Sequence, residues 1–185
     1  MISNIFTLYF YIFFCSISVF GYGALFSKNI LNYKNINPGL IGVLGFLVLF
    51  SISILIHFFY HLSQNLNFFI LSLGFFFGMQ NIKIFYKITE YKNYFILIGF
   101  IFLLSIFSSN SYADYEWYHL PYVNYLNSFK IVFGLVNISN NYVYGHGWLD
   151  IMGMFNLPVI GTKGLTALPI IFYFYFIIFF LHELF

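Results

Sequence analysis

The chain has 185 residues, of which 62% are hydrophobic and only 6% charged, and its formal net charge is +2. A soluble domain carries about 25% charged residues, so this chain lacks the polar surface to face water on every side and must turn apolar surface to lipid. The small charge and the lack of a basic run exclude nucleic-acid binding, and a lone Cys15 excludes an intrachain disulfide or a cysteine-based metal cluster.

Spanning about 30 Å of hydrocarbon takes roughly 20 apolar residues in a helix. In chain order the apolar runs are Ile5 to Phe26, Gly39 to Tyr60, the shorter Leu66 to Ile82, Tyr94 to Ser108, and Leu165 to Leu181. Pro38 precedes the second run, where a helix start tolerates it. The first run has no Lys or Arg before it and outlasts the apolar core of a signal peptide, so it reads as a retained span. In lipid these runs must be helical, because each segment has to satisfy its own backbone, and none alternates like a barrel strand. The predicted fold class is therefore an all-α integral membrane protein of about five transmembrane helices. Four spans fill residues 1–108, a long extracytoplasmic loop with short interfacial helices fills 109–164, and a fifth span fills 165–185.

Orientation follows from the lysines. Lys28 and Lys34 fall in the first loop and Lys83, Lys87 and Lys92 in the third, which share one side; the second loop has none, and the long stretch has only Lys130 and Lys163. The positive-inside rule puts the first and third loops in the cytoplasm and the 109–164 stretch outside.

That stretch holds most of the chemistry-bearing residues. Asp114 and Glu116 emerge at the water–lipid boundary, where partial desolvation raises a carboxylate's pKa and makes it a better base near neutral pH. The alternative is an acidic cap flanked by aromatic residues at headgroup depth. Pro121 suits a helix start, after which Tyr118, Tyr122, Tyr125 and Phe129 form one stripe, either resting in the interface or packing on neighbouring spans. His146 lies between Gly145 and Gly147, in backbone able to approach a ligand. Asp150 opens an apolar stretch too short to span, for which an interfacial or re-entrant helix is cheapest. His57 and His61 are four apart on one helix, a spacing that could hold a metal, although no acid adjoins them. No nucleotide-binding loop or nucleophile-elbow motif is present.

The segment Asp114-x-Glu116-x-x-His119-Leu120-Pro121, with Gly134-Leu135-x-Asn137 and Gly145-His146 downstream, resembles the first outer loop of GT-C type polytopic membrane glycosyltransferases and their uncharacterised bacterial relatives. The resemblance covers about a quarter of the chain. It implies transfer of a sugar from a polyprenyl-phosphate donor to an extracytoplasmic acceptor, at the bacterial cytoplasmic membrane. It makes Asp114, then Glu116, the base, and leaves His119, Lys130 and His146 to bind substrate phosphate, with or without a divalent metal ion. No protein-held metal site and no certain cofactor are expected. The family's catalytic loop usually follows the first span, whereas here it follows the fourth, which keeps the same orientation. Such enzymes also have many more spans, so a fragment of a longer polytopic protein is expected. The competing expectation is a non-catalytic membrane subunit or scaffold of an envelope-assembly complex, binding other membrane subunits through the tyrosine stripe. A transporter is disfavoured, since the spans carry no charge at mid-depth.

Overall fold

The computed structural model describes residues 2–32, 37–86, 115–134, 137, 147–158, 160–161, 164–165 and 167–184. Among these it is all-helical and has no β-strand. The helices are α1 (Ile2–Asn29), α2 (Pro38–Phe59), α3 (Gln64–Asn81), α4 (Lys83–Tyr86), a π-helical turn (Tyr115–His119), α5 (Leu120–Ser128), α6 (Gly147–Met154) and α7 (Ala167–Leu184). Three of them, α1, α2 and α7, are long and apolar enough to cross a membrane. The third predicted span is a helix of 18 residues, α3, but it is not among those three, because Gln64, Asn65, Asn67, Gln80 and Asn81 dilute its apolar content. The fourth predicted span, Tyr94 to Ser108, lies outside the described residues.

Helix starts follow local chemistry. Asn37 caps α2, its side-chain oxygen accepting from the Gly39 N–H at 2.9 Å, with Pro38 in the first turn. The other end of the same amide donates to the Phe179 carbonyl at 3.0 Å and to Glu183 at 2.8 Å, tying the start of α2 to the end of α7. Pro121 sits in the first turn of α5, as its ring geometry favours.

Packing centres on α1. A Cβ at Gly21 would overlap the Gly74 carbonyl, and one at Gly78 would overlap Ile17, so α1 and α3 meet backbone to backbone. On the other flank Gly23 abuts the Ile41 carbonyl and Gly45 the Val19 carbonyl. Small residues at such seams let helices approach closely where no hydrophobic force drives them together in lipid. The order of contacts along α1 shows α2 running antiparallel to it. α3 returns alongside α1 in the same direction, with Phe14 against Phe68 and Ser18 donating to Leu71 at 2.6 Å. α7 lies antiparallel to α2, its Tyr175 ring seated over Gly42 and its hydroxyl donating to the Ser16 carbonyl at 2.7 Å.

The starts of α1, α3 and α7 and the end of α2 therefore lie together. Lys28, in the last turn of α1, and Lys83, opening α4, lie at the opposite end. The short helices α5 and α6 dock on the first end. The Leu62 N–H donates to the Leu126 carbonyl at 2.9 Å and the Ile131 N–H to the His57 carbonyl at 3.0 Å. α5 buries Val123 and Leu126 there, and α6 buries Leu149, Ile151, Met152 and Met154.

Candidate functional site

Polar groups concentrate where α5 and α6 meet the α2–α3 turn. Asn67, fully buried on α3, donates to the carbonyls of Leu62 at 3.0 Å, Gly153 at 2.9 Å and Asn156 at 3.3 Å. Asn127 on α5 donates to Leu62 and Gly153 from the other side, the Asn156 amide donates to Asn127, and Gln64 donates to Asn156 at 3.0 Å. Carbonyls at a tight turn and at a helix end have no partners within their own helices. Side-chain amides supply those partners here and pin both short helices to the bundle.

Next to this latch lies a row of rings. Tyr118, Tyr122 and Tyr125 stand one helical turn apart along the π-helical turn and α5, with centroids 6.3 and 6.0 Å apart. They are half-buried. The outward aromatic residues are Trp117, Phe129 and Phe133. Tyr125 donates to the Lys130 carbonyl at 3.1 Å and accepts from the Val132 N–H at 2.8 Å, which fixes its ring edge-on to His57 at 5.8 Å. His57 in turn holds the Phe129 carbonyl at 3.1 Å.

Asp150, in the first turn of α6, lies close enough to Tyr122 for its charge to act on that phenol. Burial raises its carboxyl from the ordinary value near 3.8 to about 6. Tyr122 is held well above the usual phenol range, first by burial and then by the nearby Asp150 charge. Among the described residues no cation forms an ion pair with Asp150, and the ion pair present joins His182 and Glu183.

The raised value has a consequence for stability. The folded carboxyl holds its proton more tightly than the unfolded one, so ionisation destabilises the fold above pH 6, and the penalty fades as pH falls through 6 toward 4. Asp150→Asn is expected to raise the thermal midpoint in detergent at pH 8 and leave it unchanged at pH 4. After discounting for partial solvent access, the gain at pH 8 is on the order of 2 kcal/mol.

Of the residues singled out in the sequence, Asp114 and His146 lie outside the described residues, and Glu116 is described only as backbone in the π-helical turn. His119 is described at the end of that turn, its ring edge-on to Tyr118 at 5.4 Å. Lys130 is exposed just beyond α5, bonded to Tyr125 through its carbonyl. His57 and His61 do not converge. His57 is buried against α5, whereas His61 stacks on Tyr60 at 4.1 Å. Among the described residues no three His, Cys, Asp or Glu side chains come together as a metal site. Sequence reasoning passed over Asp150 and the amides of Asn67, Asn127 and Asn156 as site residues. The available signal was Asn67 itself, an amide inside an apolar run, which in a membrane helix calls for a named partner.

A family model described as a domain of unknown function (DUF8201) matches residues 1–185, and the chain belongs to that family. No curated protein and no solved structure matches it.

Proposed function

We propose that this DUF8201 member is a GT-C-like membrane glycosyltransferase, or the membrane-embedded part of one, moving a sugar from a polyprenyl-phosphate donor to an extracytoplasmic acceptor. The observation that carries the reading is the docked pair α5–α6. The chain that follows Asp114 enters a π-helical turn continuous with α5, and α5 is fastened to one end of a bundle built from apolar helices. An acid just upstream of such a platform would sit where a lipid-borne donor presents its phosphate. Asp114, with Glu116 second, takes the proton from the acceptor hydroxyl as it attacks the anomeric carbon. His119, Lys130 and His146 stabilise the leaving phosphate.

Five spans in a bacterial cytoplasmic membrane, with 109–164 outside, belong to the same reading. Two observations support them. Tyr86 lies at the lysine-bearing end of the bundle and Tyr115 at the other. Lys28 and Lys83 lie at the end opposite α5 and α6, as expected if that end faces the cytoplasm.

The test is transfer from a polyprenyl-phosphate-linked sugar in proteoliposomes. Asp114→Asn is expected to lower the rate about a hundredfold to ten-thousandfold without loss of membrane insertion. Equal rates in wild type and variant would remove Asp114 from the mechanism. Absence of transfer by the wild type with every donor tried would leave the scaffold reading, with other membrane subunits as partners.

A further inference from the structure

We infer that the segment from Phe129 to Phe133, just after α5, is immersed in lipid, with Phe129, Val132 and Phe133 among the acyl chains of the leaflet where α5 docks. The inference rests on α2 crossing the membrane and not on the glycosyltransferase reading. Continuity with a lipid-facing flank is the first observation. Leu47, Ser51, Leu55 and Phe58 are exposed on α2 at spacings of four, four and three, so they share one outward face, while Ser53 and His57 are buried on the other side. α2 is long and apolar enough to cross a membrane, and in a spanning helix that outward face meets lipid. The Phe133 ring packs against Phe58 at 6.1 Å and is itself 82% exposed. Phe129 and Val132 are exposed as well. The apolar flank of α2 therefore continues onto this segment.

The backbone supplies the second observation. Phe129 to Val132 belongs to no helix or strand, and in water such a segment can leave its polar groups to the solvent. Here the protein pairs them. The Phe129 N–H donates to the Tyr125 carbonyl at 2.9 Å and the Ile131 N–H to the His57 carbonyl at 3.0 Å. The buried His57 ring donates from Nε2 to the Phe129 carbonyl at 3.1 Å. The Tyr125 hydroxyl donates to the Lys130 carbonyl at 3.1 Å and accepts from the Val132 N–H at 2.8 Å. Irregular backbone is tolerated at membrane depth where the protein provides such partners, since hydrocarbon provides none. Lys130 is compatible with the placement, because its exposed side chain is long enough to carry the ammonium up to the headgroups.

The experiment uses the unmodified chain in phosphatidylglycerol vesicles that contain a phospholipid with a diazirine in the upper part of an acyl chain. After photolysis, mass spectrometry locates the lipid adducts. Adducts are expected within 129–133 and at Leu55. Adducts at Leu55 with none within 129–133 would overturn the inference and leave water or a protein partner as what covers the segment. Adducts at neither place would show that α2 does not meet lipid, and the inference would fall with its premise. Tyr125→Phe leaves the Lys130 carbonyl and the Val132 N–H without the hydroxyl that pairs them, at a cost that hydrocarbon does not repay. In this variant the adducts within 129–133 are expected to fall severalfold relative to those at Leu55. An unchanged ratio would overturn the part given to the Tyr125 hydroxyl. The wild-type result stands even if the variant folds poorly.

Discussion

Gly74→Leu is expected to separate α1 from α3 and to cost at least about 3 kcal/mol, the upper part of the range for overpacking. Most oversized side chains find room by changing rotamer. Here a Cβ alone already collides with Ser18 backbone and the Tyr22 ring, and Gly21 across the seam is itself closed against the Gly74 carbonyl. No rotamer relieves a clash that begins at the first side-chain atom, so the helices must move apart. The separation would also strain the bonds from Ser18 to Leu71 and from Tyr22 to Ile70, at 2.6 and 2.7 Å. Thermal unfolding in detergent reads the loss. Ser51→Leu is the control, since Ser51 is exposed on α2 and bonds only back to Leu47 of its own helix; it should stay within about 0.5 kcal/mol of wild type. Comparable midpoints for both variants would mean that the seam tolerates separation.

Asn67→Leu is expected to release α6 from the bundle. Asn127 still reaches the Leu62 and Gly153 carbonyls in this variant, whereas the Asn156 carbonyl loses the donor it has on α3. A buried carbonyl left without a donor costs about 1–3 kcal/mol, and the weakened bonds to the others add to it. Asn67→Asp has the same shape but turns an acceptor toward three carbonyls, and it should be worse than leucine wherever the carboxyl ionises. Hydrogen exchange over 147–156 measures the effect: protection falls there first, while α2 and α7 keep theirs. Uniform loss along the chain would show that Asn67 stabilises the whole bundle and not the docking of α6.

The amino-acid sequence made the long helices legible because lipid imposes one rule on every residue in them. Apolar runs near twenty residues, with Pro38 at a start, located α1, α2 and α7 within a few residues. Pro121 likewise marked the start of α5. The seams were not legible. Gly21, Gly23, Gly45, Gly74 and Gly78 lie in runs where any small residue looks alike, and which of them face a partner depends on how the helices rotate about their axes. Asp150 reads in the sequence only as a charge to be kept from the bilayer centre, because its neighbour Tyr122 lies 28 positions away along the chain. Asn127 lies toward the α2–α3 turn, where it donates to the Leu62 and Gly153 carbonyls. A one-helix pattern gives the face of a residue and not what that face meets.

Backbone contact along both flanks of α1 bears on permeation. Where a methyl group does not fit between Gly21 and Gly74, or between Gly23 and Ile41, a file of water molecules does not fit either. Neither seam can serve as a conduit for ions or solutes, and any aqueous passage this protein took part in would have to be lined by surfaces other than those joining α1 to α2 and α3.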